Sequence, residues 1–131
     1  MDWETCRKQR IIKDVPIDTE LAQNLIVQAR NRQMSAERLE LDEISASTLV
    51  TLWYDVIRLH LEAAAARSGV KVYNHACYVG FARGVLADDD IATGFDTLRL
   101  IRNAILYYGE NATIEQAERF RTEVIRLIAR L

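Results

Sequence analysis

The sequence is short of most residues that would announce a chemistry. Among 131 residues there are two histidines, two cysteines, one proline and five glycines. The histidines stand in no Ser/His/Asp or Cys/His spacing, so no nucleophile and base are paired by pattern. Cys6 and Cys77 have no CxxC or CxxxH neighbourhood. That pattern offers no zinc site and requires no disulfide, and the expectation is reduced thiols in a cytoplasm. Neither a glycine-rich phosphate loop nor a Glu-x-x-His pair is present, so no cofactor and no metal ion are expected. The net charge of −2 lacks the basic excess of proteins that grip long nucleic acids, although a local basic patch stays open. No apolar run approaches the ~18–20 residues that cross a membrane; the longest, Leu61 to Ala66, is broken by Glu62. The opening MDWETCRKQRII mixes both charges without an apolar core, unlike a secretory signal. With so little proline and glycine, the chain is neither a linker nor disordered.

What is present is a helical pattern. Residues 1–16, with the basic run Arg7, Lys8, Arg10 and Lys13 before Pro16, show no stripe and read as a flexible or partner-dependent arm, with a short extra helix as the alternative. Residues 17–131 read as one helical domain. Asp18 caps a first helix whose apolar positions include Ala22, Leu25, Ile26 and Ala29, ending somewhere in 34–43. Ser45 or Ser47 can cap a second, whose stripe includes Leu49, Trp53, Val56, Ile57, His60 and Ala64 and stops at Ser68-Gly69. Val70 to Tyr73 is short and β-branched; lacking an evident partner strand, it is expected as an extended connection. Asn74 is expected to cap a third helix from His75 to about Ala87, and Asp88-Asp89-Asp90 to end it and cap the next. Three consecutive carboxylates do not converge on one ion, so they are read as a cap. The fourth helix, about Ile91 to Tyr108, has Phe95, Leu98, Ile101, Ile105 and Leu106 as its core face. Thr113 and Gln116 have capping-box spacing for a fifth, with a stripe at Phe120, Val124, Leu127 and Leu131. The predicted fold class is all-α, an up-and-down antiparallel helical bundle of four to five helices.

Polar residues concentrate in Arg102-Asn103-Ala104-Ile105-Leu106-Tyr107-Tyr108-Gly109, where glycine stops the fourth helix. Asn103 and Tyr107 are i, i+4 neighbours on one face. Arg102 and Tyr107 are about 140° apart on a regular helix, so they are expected to meet only if the helix loosens or a second subunit supplies one of them. Arginine forks onto phosphate, asparagine can orient it, and a phenol with a pKa near 10 is a weak base at neutral pH. The set suits binding a phosphate better than cleaving one. It could also be a polar packing joint. Asp96 and Arg99 are spaced for a surface ion pair. His60 reads as a core or interface residue, and His75 as part of the connection into the third helix.

Roughly residues 17–130 resemble the HEPN superfamily of small helical-bundle domains, through Arg102-Asn103, through Tyr107-Tyr108-Gly109 and through the connection Gly69-Val-Lys-Val-Tyr-Asn-His75. Many members are ribonucleases of toxin–antitoxin, defence and RNA-processing systems; others are noncatalytic partners of nucleotidyltransferases. The family's motif is an Arg, a polar residue, then four to six residues and a His. Here Tyr107 or Tyr108 stands where that His would be, as in a divergent prokaryotic branch. The resemblance implies a homodimer, with Arg102, Asn103 and Tyr107 at the catalytic motif positions and with Tyr108 and His75 as binding candidates. Losing the imidazole removes the group that titrates near neutrality. The implied role is therefore a noncatalytic or weakly active cytoplasmic domain that binds RNA, a nucleotide or a partner protein. The rivals are an active metal-independent ribonuclease and a purely structural partner of a nucleotidyltransferase. Enzymatic activity is left open, with His75 able to replace the missing base only if folding brings it beside Arg102.

Overall fold

A computed structural model describes all 131 residues. The chain runs α1 (Trp3–Lys8), β1 (Ile12–Asp14), α2 (Thr19–Arg38), α3 (Ala46–Arg67), β2 (Val70–Val72), α4 (Cys77–Gly84), α5 (Asp89–Tyr108) and α6 (Ile114–Ile128). It is a helical fold of six helices with one two-stranded antiparallel sheet. No helix is long and apolar enough to cross a membrane.

The long helices begin and end on local chemistry. The side chains of Asp18 and Asp88 accept from the backbone N–H groups of Leu21 and Ile91, and Thr113 and Gln116 close a reciprocal capping box, satisfying donors that a helix start leaves free. Gly109 ends α5 in the left-handed region at φ 69°, where a side chain would be strained. The helix α3 is buried on several sides: Val50, Trp53, Tyr54, Ile57 and Leu61 lie in the main core, while Leu59 and Ala63 pack on α2 beside Ala22, Leu25 and Ala29. Phe95 and Leu98 of α5, and Phe120, Val124 and Leu127 of α6, complete the main core, as their stripes predict.

Several expectations give way to tertiary structure. The segment expected as a flexible or partner-dependent arm is folded, and the alternative of a short extra helix is met by α1. Asp2 caps α1 by accepting from the Thr5 N–H, the Trp3 ring packs 5.7 Å from Phe81, and Arg7 pairs with Asp14 at 3.2 Å. A helix of six residues is too short to stand on its own hydrogen bonds; contacts with α4 hold it. Gly80 permits the approach, because a Cβ there would lie 2.6 Å from the Trp3 backbone nitrogen. The expected extended connection at Val70–Tyr73 is the strand β2, pairing Ile12 with Val72 and Asp14 with Val70. Its partner lies in the very segment that shows no pattern of its own. Cys6 and Cys77, expected as thiols, are joined in a disulfide.

Three finer corrections follow. The third helix starts at Cys77 rather than His75; the Asn74 side chain instead accepts from the Ala76 N–H, holding a turn in which His75 stays outside the helix. Neither serine caps α3 through its side chain. Ser45 donates to the Glu40 carbonyl, and Ser47 accepts from the Ala112 N–H at 2.9 Å. Ile101 and Leu106, expected in the core, are exposed, because α5 runs on past the elements that cover its first half.

Candidate functional site

The site is built on α3, α5 and the turn between β2 and α4. On α3, Tyr54 is fully buried and its ring stacks on Phe95 of α5, 5.6 Å between centroids. A buried phenol needs a polar partner, and the Tyr54 hydroxyl finds one in Nδ1 of His75 at 3.0 Å. The ring face of Tyr54 receives Arg102, whose guanidinium carbon stands 4.6 Å from the ring centroid, within cation–π range. Arg102 also donates from Nη1 to the Asn103 side-chain oxygen at 3.1 Å. Its guanidinium reaches to 5.9 Å from the Tyr107 ring.

The helix α5 stays helical through Tyr108, so Arg102 and Tyr107 meet without loosening and without a second subunit. The length of the arginine side chain closes the angular gap. His75, Arg102, Asn103 and Tyr107, together with Tyr73, Asn74 and Arg99, line one shallow cleft of about 280 Å³. Four of the five residues singled out from sequence are thus brought together. Tyr108, 79% exposed, does not line the cleft.

One arginine of the site is left without an ion pair. Arg99 is held by Asp96 at 2.8 Å, as its spacing predicts, and Arg58 by Glu62 at 2.8 Å with Asp55 at 3.7 Å. Arg102 has no carboxylate within ion-pairing distance, and its ties are to an aromatic face and an amide. Burial, followed by the charges of Arg58 and Arg102, pushes the pKa of His75 down to about 4, so the imidazole is neutral at physiological pH. Burial outweighs the same arginines at Tyr54 and raises its phenol to about 12. Tyr54 is therefore a fixed, protonated prop and not a base. His60 is half-buried on α3 and its pKa is also lowered by burial; it lies outside the cleft.

The low pKa of His75 has a consequence for stability. The unfolded imidazole takes up its proton near pH 6.5 and the folded one near pH 4. Across that window the unfolded chain binds more protons, so stability is present above pH 6.5 and is lost as the pH falls towards 4. Urea midpoints measured from pH 7.5 to 5 should fall, and His75→Gln should flatten the fall, leaving the part that His60 contributes in the same direction. Identical slopes in the two proteins would refute the assignment.

Sequence reading missed Tyr54 and reduced Arg99 to a surface pair. Tyr54 carried a usable signal, an aromatic with a polar tip inside an apolar helix, but nothing local says that its partner is a histidine 21 residues on. The chain matches no protein-family model, no curated protein and no solved structure.

Proposed function

We propose that this chain is a HEPN-like domain whose cleft beside the end of α5 binds a phosphate group of RNA or of a nucleotide, without turnover or with weak turnover. The observation that carries the reading is Arg102. It is braced against Tyr54, lacks a carboxylate partner and shares its cleft with His75 and Asn103. A guanidinium without a counter-ion is suited to fork onto a phosphate, and the neutral His75 and the Asn103 amide add uncharged hydrogen-bonding groups. At neutral pH an imidazole with a pKa near 4 has no proton to give as a general acid, which fits binding better than cleavage. The proposal includes up-and-down antiparallel packing of α2, α3, α5 and α6, a cytoplasmic setting where RNA is available, and a homodimer. The dimer rests on exposed Leu100, Ile101 and Leu106 on the same stretch of α5. Cys6 and Cys77 are wholly buried, out of reach of cytoplasmic reductants.

One observation favours the ribonuclease as a second reading: His75 lines the cleft from outside the motif. A bound phosphodiester would offset Arg58 and Arg102 and raise the pKa of His75 towards the range of acid–base work, against the burial that lowers it most.

The test is RNA binding by fluorescence anisotropy and RNA cleavage without divalent metal, on wild type, Arg102→Ala and His75→Gln. Arg102→Ala should weaken binding about 10- to 100-fold, the worth of charge-assisted hydrogen bonds. Unchanged binding in that variant would sink the reading. Cleavage by wild type that disappears in His75→Gln would give the second reading precedence. Sedimentation of the same samples tests the dimer, which a monomer at micromolar concentration would remove.

A further inference from the structure

The two-stranded sheet has one covered face and one open face, because successive side chains of a strand point to opposite sides. Ile12 and Val72 turn inward onto the disulfide. Lys13 and Lys71 are paired across the strands, and both are exposed on the other face. Like charges directly opposite one another weaken a sheet. Neither ammonium has a carboxylate within ion-pairing distance. Asp14, the only carboxylate of the two strands, is taken by Arg7 at 3.2 Å. The stability of the sheet gives no reason for two unneutralised lysines at one register.

The open face continues into the Arg102 cleft. The Lys71 ammonium stands 5.7 Å from the centroid of the Tyr73 ring, and Tyr73 lines the cleft with Arg102 and Tyr107. Both rings are available to a ligand, since Tyr73 is 60% exposed and Tyr107 67%. The order along the surface is Lys13, Lys71, Tyr73, Arg102, Tyr107: cations without counter-ions, interleaved with exposed aromatic rings. This is a local basic patch of the kind that a net charge of −2 leaves open. Such interleaving suits an unpaired strand, which offers phosphates to the cations and base faces to the rings. A duplex keeps its bases stacked within itself, and an acidic peptide has none to stack.

We propose that single-stranded RNA lies along this strip, from the Arg102 cleft across the outer face of the sheet, with phosphates at Arg102, Lys71 and Lys13 and bases stacked on Tyr73 and Tyr107. The proposal rests on the reading of the cleft as a phosphate site and names the source of the phosphate: a strand of several nucleotides, not a free nucleotide. Lys13, Lys71 and Tyr73 all lie outside the Arg102–Tyr107 segment.

The experiment is fluorescence anisotropy with labelled oligouridylate and oligoadenylate of about 12 nucleotides, within the site sizes of single-strand binders. Their annealed duplex, uridine monophosphate and poly-glutamate serve as competitors. Single strands should bind best, and the three competitors should displace them poorly. Tyr73→Ala should weaken binding about five- to a hundredfold, the worth of one stacked base, while Tyr73→Phe should bind like wild type. Lys13→Gln with Lys71→Gln should lower the salt slope of log affinity by about 0.7 per lysine. That double variant should unfold no earlier than wild type, because the like-charge pair is gone; its weaker binding is then a lost contact and not a lost fold. The strip is overturned if duplex or poly-glutamate competes as well as a single strand, or if Tyr73→Ala and the double lysine variant bind undiminished. Weakening by Arg102→Ala alone would likewise overturn the strip and leave the cleft reading standing. Weakening by the tyrosine and lysine variants but not by Arg102→Ala would uphold the strip and remove the cleft reading.

Discussion

Phe95→Ala should destabilise the protein by about 3–5 kcal/mol, the range for truncating a fully buried phenylalanine, and should disable the Arg102 cleft at the same time. Phe95 is completely buried on α5. Its ring stacks on Tyr54 at 5.6 Å and meets Tyr78 edge-on at 6.1 Å. Removing it leaves a void flanked by two phenols. One of them, Tyr54, holds Arg102 on its face and His75 at its hydroxyl. Any collapse into the void moves that floor. Native stabilities are only about 5–15 kcal/mol, so the loss should be plain in urea unfolding. Phe95→Leu keeps much of the volume and should retain most of the stability, while shifting the proposed affinity for RNA because the stacked support of Tyr54 is gone. A loss below about 1 kcal/mol for the alanine variant, less than ordinary core truncations cost, would show that this ring does not organise the core.

The second large effect should come from replacing Cys6 and Cys77 together by serine. The disulfide joins residues 71 apart, and in the chain-entropy account closing a loop of that length is worth about 4 kcal/mol. The loss should be concentrated at one corner. Cys77 opens α4, two residues after His75, so the bond fixes the stretch from which the Arg102 cleft draws a wall. Native protein unfolded in guanidinium with an alkylating agent but no reductant should take up no label, and after reduction it should take up two. Two labels without reduction would show that the bond is not made. Serine variants that unfold at the wild-type midpoint would show that the bond adds nothing to stability.

The contrast between what was legible and what was not follows the range of the interactions. The long helices could be read because a helix carries its own evidence: the Asp18, Asp88 and Thr113–Gln116 caps and the Gly109 stop are contacts within a few residues. The shared face of Asn103 and Tyr107 is equally local. The N-terminal segment could not be read, because α1 and β1 are too short to show a period and are held by residues some 60–80 positions away, through Trp3 on Phe81, Ile12 against Val72 and Cys6 to Cys77. The stripe of α5 was read correctly as apolar but wrongly as buried at Ile101 and Leu106. Periodicity says that a face is apolar; it does not say that this chain supplies its cover. Within the candidate site, the arginine and the asparagine were visible as a motif. The meeting of His75 with Tyr54, which puts an imidazole in the arginine's cleft, is a tertiary fact with no local trace.

The pairing of β1 with β2 also sets an order of events during synthesis. Residues 3–14 leave the ribosome before their partners at residues 70–84. A nascent chain can fold α2 against α3 while that first stretch still waits, because the α2–α3 contact is a hairpin between neighbours and forms early. The corner that carries His75 and Tyr78 is sealed only when residues 3–14 meet residues 70–84. The Arg102 cleft waits further for α5, which supplies Arg99, Arg102, Asn103 and Tyr107, so a nascent chain stalled before residue 84 would hold a folded helical pair and no binding site.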